Sequence, residues 1–161
     1  MNEKSNSKQT PAKRILLIDS SFLMLPVSGG KRKKVFNIED ALFSLSEGRV
    51  LAVLDVTVEE LNFLKTRTKG KKKLAADFAL EFIKKAKLEV IKADENIIQE
   101  VKQKAKEMRG WEVHDEILAK MAKRLNAAVA TTDLDLMRKL IKMGIPVYYL
   151  RGKKWIHVSG E

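Results

Sequence analysis

Apolar positions along this chain switch repeatedly between two periods. Short unbroken apolar runs alternate with longer stretches in which apolar residues return every three or four positions. The first pattern predicts strands buried on both faces, the second amphipathic helices. Residues 14–19, with Ile15-Leu16-Leu17-Ile18 before Asp19, and residues 127–132, Ala127-Ala128-Val129-Ala130-Thr131-Thr132, read as central strands. RVLAVLD at 49–55, LEVI at 88–91 and the stretch 145–150 give three more. Pro146 near the start of the last one suits an edge strand. RGKKWIHV beyond it is a candidate for one further edge strand.

Helices are expected between these runs. Ser20 or Ser21 caps a short one carrying Phe22, Leu23 and Leu25, stopped by Pro26. A weaker pattern covers 36–47, and Thr57 caps a helix running to about residue 66. After the charged break KTRTKGKKK at 65–73, a long helix covers about 72–87, with Leu74, Phe78, Phe82 and Ile83 on one face. Asp94 caps the next, which Gly110 ends, and Asp115 opens another bearing Ile117, Leu118 and Met121. Leu134 to Met143 forms the last, stopped by Gly144. Strands alternating with helices predict an α/β fold in three layers, a central five-stranded parallel sheet with helices on both faces. The very apolar first and fourth runs belong in the middle, giving the order 3-2-1-4-5. The expected organisation is a disordered tail over 1–13, a single domain over 14–156 and a short tail over 157–161.

This arrangement gathers carboxylates. Asp19 and Asp133 each end a central strand, and Glu60 and Asp115 each fall near a helix start. In an open parallel sheet these positions share the carboxyl edge. Like charges on one edge are costly without a counter-charge, and repulsion among them raises at least one pKa. A divalent cation is the usual remedy; Mg2+ and Mn2+ favour all-oxygen sites. Each acid also has an ordinary role. Thr57-x-x-Glu60 matches a capping box, Asp133 suits a helix cap, and Asp115 suits a first helical turn. Asp19 has no such excuse, because an unpaired carboxylate ending an apolar strand is expensive. His114 reads as a cap or surface residue, and Trp155 as a packing residue before a base-stacking one.

Composition adds one constraint. The 161 residues carry a net charge of +11, of which the tail supplies little. Charge of one sign on this scale points to a polyanion, most commonly nucleic acid. The runs Lys31-Arg32-Lys33-Lys34, Lys69 with Lys71-Lys72-Lys73, and Arg151 with Lys153 and Lys154 are the candidate phosphate-binding groups. There is no cysteine, which excludes thiolate chemistry and fits a reducing cytoplasm. No apolar run approaches a membrane span, and no signal-peptide segment is expected at the start. No glycine-flanked serine elbow or GxxxxGK[ST] loop is present, so a serine hydrolase or an NTPase is not supported.

ILLIDSSFLM, VTVEELNFL, VHDEILAKMAKRL, VATTDLDLMRKL and GIPVYYL occur in this order over about residues 14–151. Together they resemble the PIN domain nucleases, most of all the archaeal and eukaryotic subgroup that processes small-subunit ribosomal RNA. The resemblance matches Asp19, Glu60, Asp115 and Asp133 to the family's catalytic acids, and Asp135 to a further acidic position. It implies Mg2+ or Mn2+ held by Asp19, Asp115, Asp133 and Asp135, and cleavage of phosphodiesters, usually in RNA. Many members carry Asp-Thr-Asn or Asp-Thr-Ser where this chain has Asp19-Ser20-Ser21; hydroxyls persist at both positions. Ser20, Ser21, Thr131 and Thr132 would support the carboxylates. The expected function is a metal-dependent endoribonuclease, with RNA or a pre-ribosomal particle as partner. An RNA-binding assembly module without turnover, a toxin-type PIN ribonuclease with a protein inhibitor, and a DNA flap nuclease are the alternatives; self-association is open.

Overall fold

A computed structural model describes residues 14–28, 48–106, 109–151 and 154–158. Five parallel strands form the expected sheet: β1 (Arg14–Ile18), β2 (Arg49–Leu54), β3 (Glu89–Ile91), β4 (Ala128–Thr131) and β5 (Val147–Arg151). Their order is 3-2-1-4-5, with Leu16 paired to Leu51 on one side and to Ala128 on the other. A sixth strand, β6 (Lys154–Val158), runs antiparallel to β5, with Tyr148 in register with His157. β5 is therefore not the edge, and Pro146 precedes the strand rather than sitting within it.

Six helices occur among the described residues: α1 (Ser20–Ser28), α2 (Asp55–Arg67), α3 (Gly70–Lys85), α4 (Glu95–Gln103), α5 (Gly110–Leu125) and α6 (Leu134–Lys142). None of them is long and apolar enough to cross a membrane.

Several helix ends differ from expectation. α1 runs through Pro26 to Ser28 instead of stopping before it. α2 begins at Asp55 after Leu54, so Thr57 is not a cap; it lies inside the helix and is fully buried. α4 ends at Gln103, and Gly110 opens α5 rather than closing α4. The entrance of α5 is held by Arg109 N, which donates to Glu112 Oε1 (2.8 Å). Asp115 consequently sits in the second turn of α5, not the first. Asp94 and Asp133 do cap helices, each accepting two backbone N–H groups of the following turn. Gly144 follows α6 with φ 78°, a left-handed conformation that suits glycine. The weak helical pattern over 36–47 lies outside the described residues, as do both expected tails apart from His157 and Val158 in β6.

The alternation of side chains along the central strands divides the core. Leu17, Ala52, Leu54 and Val129 pack against α4, α5 and α6 on one face. Ile18 and Val53 pack against α1, α2 and α3 on the other. Both faces of β1 are thus covered, which is why its sequence is an unbroken apolar run. β1 lies between β2 and β4, where the strand order reverses, and this puts Asp19 at the switch point of the sheet.

Candidate metal centre

Asp19 is only 3% exposed. Its backbone N–H donates to Ala130 O (3.0 Å), which ties the end of β1 to β4. Its Oδ2 accepts from Ser21 Oγ (2.6 Å) and Thr131 Oγ1 (2.9 Å). Those hydroxyls are themselves placed by backbone: Thr132 N donates to Ser21 Oγ (3.2 Å), and Asp133 N donates to Thr131 Oγ1 (3.0 Å). Burial pushes the Asp19 carboxyl above its ordinary value, against the opposing pull of Ser21, His114 and Thr131. Repulsion from Asp115 also raises it but is the smallest of these influences. The expected upward shift is present, and desolvation rather than like charge is its main cause.

Helices α2 and α5 form the opposite wall. His114 is nearly buried, with Nε2 3.1 Å from Thr57 Oγ1 and 3.4 Å from Glu60 Oε1. Its Nδ1 lies 3.9 Å from Asp115 Oδ1. Burial lowers the imidazole pKa, but Asp115, Glu60 and Asp19 outweigh it, and the net shift is upward. Glu60 Oε1 is buried without a hydrogen-bond partner; its approach to His114 is close enough for an ion pair but does not meet hydrogen-bond geometry. Among the described residues, Asp19, His114 and Asp115 offer ligand atoms that all lie within 4.8 Å of one another.

The structure therefore brings Asp19 and Asp115 together and sets Glu60 behind His114. Asp133 lies just beyond Thr131 and Thr132, with Oδ1 accepting from Asp135 N (2.9 Å) and Leu136 N (3.1 Å). Asp135 has a side chain 84% exposed and faces Arg138 at 4.0 Å. Neither Asp133 nor Asp135 belongs to the group within 4.8 Å. Ser20 is buried at the start of α1. His114 is the site residue that the sequence pattern does not single out. Its position one residue before Asp115 is a signal, but the register of α5 that buries it is not visible locally.

A groove of about 930 Å3 opens beside this wall, lined by Glu60, His114, Phe63, Lys72, Lys92 and Lys102 among others. Lys72 thus joins the basic run 71–73 to the acidic group. Lys69, Lys71 and Lys73 are exposed around the start of α3, and Lys73 Nζ donates to Lys65 O (3.2 Å). Lys31 to Lys34 and Lys153 lie outside the described residues, and the side chains of Arg151 and Lys154 are not described.

A buried carboxylate, a second acid and an imidazole at the switch point of a parallel sheet define an α/β domain with a site suited to a cation. Comparison with known proteins makes the class specific. The PIN like domain family matches residues 95–153. Ribonuclease VapC4 of Methanocaldococcus jannaschii is 34% identical over 127 residues, covering 78% of this chain and 82% of the relative. The chain belongs to the PIN domain family. The solved structure of the PIN domain endonuclease Utp24 superposes with a TM-score of 0.58 at 18% identity, covering 90% of this chain and 91% of that one. The sarcin-ricin loop cleaving toxin VapC20 of Mycobacterium tuberculosis gives 0.54 at 12% identity, covering 77% and 94%. At these identities the two structures establish the shared fold.

Proposed function

We propose that this protein is a divalent-metal-dependent endoribonuclease. This reading rests above all on the convergence of Asp19, His114 and Asp115 at the switch point, beside a groove that Lys72 lines. The residues suit a divalent ion. Asp19 is buried and takes its hydrogen bonds from neutral hydroxyls, and Glu60 Oε1 is buried without a hydrogen bond. Asp19 and Asp115 would hold the ion, with Asp133 reaching it directly or through a water and Glu60 acting from behind His114. When bound, the ion supplies an activated water and charge stabilisation on the phosphate. The protein's own residues fix the acids. Ser21 and Thr131 hold Asp19 in one orientation, and the lysines of 71–73, with Arg151, Lys153, Lys154 and Lys31 to Lys34, bind the phosphate backbone.

RNA of the ribosome is the proposed substrate, in processing of the small-subunit RNA. A toxin-type ribonuclease with a protein inhibitor is the second reading, favoured by the 34% identity to a VapC ribonuclease. An RNA-binding module without turnover fits the basic charge but gives the buried acid no purpose. The test is incubation of purified protein with labelled RNA and DNA, with Mg2+, Mn2+ or chelator, beside Asp19→Asn. Metal-dependent cutting of RNA that Asp19→Asn removes is the expected result. Binding of RNA with no cleavage under either metal would favour the module.

A further inference from the structure

We propose that Phe63 is a stacking platform for one unpaired base of the RNA, seated in the groove beside the acidic group and next to the bond that is cut. This rests on the ribonuclease reading and goes beyond it, because it requires a single-stranded nucleotide at the cleavage position.

Phe63, Leu74, Val90 and Leu134 are the large apolar side chains left exposed among the described residues. Of these, Phe63, at 56% exposure, is the one that lines the groove. It follows Glu60 by three residues on α2, about 4.5 Å further along the axis, so the two side chains share a face of the helix. The guanidinium carbon of Arg67 lies over the Phe63 ring, 5.0 Å from its centre. Arg67 is not part of the groove lining, so it backs the ring from outside and leaves the groove side for a second planar partner. Bases stack on aromatic faces with little regard to sequence, and a guanidinium adds a cation to the stack.

Charge places the rest of the nucleotide. Lys72, Lys92 and Lys102 are exposed in the groove lining and suit phosphate. Glu59 and Glu95 are exposed in the same lining and repel it. Val56, Ile98 and Val113 add apolar surface. The part of a nucleotide that fits against Phe63 is therefore the neutral base, with its phosphates kept at the lysines. A base inside a duplex is already stacked on both faces, so the strand must be unpaired at this point. A protein partner could use the apolar surface too, but the backed ring and the lysines favour a planar ligand that carries phosphate.

The test measures binding of a short labelled single-stranded RNA to the full chain in chelator, where it is not cut. Phe63→Ala should weaken binding roughly 5- to 100-fold, as for loss of one base stack. Phe63→Tyr should restore most of the affinity and Phe63→Leu should not. The salt dependence should stay the same in Phe63→Ala, because no phosphate contact is lost. An RNA with a single abasic nucleotide, moved along the strand, should reach one position at which Phe63→Ala has no further effect. Phe63 is exposed, so its replacement leaves the fold intact, and denaturant titration checks this. Unchanged affinity in Phe63→Ala would overturn the proposal. So would equal rescue by Leu and Tyr, which would mark the ring as a general apolar contact and turn the search to a protein partner. Either result leaves the ribonuclease reading standing if Asp19→Asn still abolishes metal-dependent cutting. A wild-type chain that neither binds nor cuts RNA would remove both.

Discussion

The two walls of the site are built on different principles. The sheet wall, formed by Asp19, Ser21 and Thr131, is closed: each hydroxyl donates to the carboxylate and is held by a backbone N–H. The helix wall, formed by Thr57, Glu60, His114 and Asp115, is open: its ion-pair distances are 3.4 and 3.9 Å, and Glu60 Oε1 has no hydrogen bond. Satisfied polar groups in a buried setting give rigidity, while unsatisfied ones await a partner. The sheet wall thus fixes one acid in advance, and the helix wall leaves room for the cation to complete it.

The largest expected difference comes from removing the acid the sheet wall holds. Asp19→Asn should lower RNA cleavage by more than the roughly 10- to 100-fold typical of losing an outer partner of a metal site. Binding of RNA should hold or tighten, because a negative charge near phosphate is gone. Cleavage assays beside filter binding check both, and intact metal-dependent cleavage would detach the activity from this site.

Replacing Lys71, Lys72 and Lys73 together by alanine tests the groove next to the helix wall. Affinity for single-stranded RNA should fall. The slope of log K against log salt should drop by about 0.7 for each phosphate that is no longer neutralised. An unchanged slope would place the nucleic acid elsewhere.

Stability should separate the walls more gently. Thr131→Val removes a buried hydrogen bond to a carboxylate and should cost about 1–3 kcal/mol at neutral pH. Glu60→Gln breaks no hydrogen bond of Oε1 and should change metal-free stability much less. Denaturant titration of the two variants in chelator measures the contrast; equal losses would mean the helix wall is as closed as the sheet wall.

The smallest effect is a pH dependence of the metal-free chain. Asp19 and His114 both have folded pKa values above their ordinary values of 3.8 and 6.5. The folded state therefore binds more protons, and stability falls as pH rises, from 3.8 upward through the folded value of Asp19 and from 6.5 upward through that of His114. Saturating Mn2+ should weaken the second fall, since the ion replaces the proton as counter-charge. Denaturation midpoints across pH, with and without the ion, check this.

Much of the site is legible in the chain. The apolar run before Asp19 specifies a strand covered on both faces, and so places a carboxylate at a sheet edge where solvation is lost. Ala128 to Thr131 specify its neighbour, and Asp133 announces the helix cap that it forms. Thr57 and His114 mislead for one physical reason. A capping motif gives a local minimum for a helix start, but α2 and α5 begin where packing against the sheet allows, at Asp55 and Gly110. That shift of a few residues turns Thr57 and His114 inward.

The periodicities, the order of the strands, the basic charge and the acids at the carboxyl edge all follow from the chain without its fold. Each is set by neighbours within a few residues or by the burial of a whole run. It took the folded arrangement to bring together residues 57 positions apart, Thr57 and His114, at 3.1 Å, and to stand an imidazole among Asp19, Glu60 and Asp115. Meetings of that kind depend on how two helices settle on the same sheet, and no local pattern encodes the depth or rotation at which they come to rest.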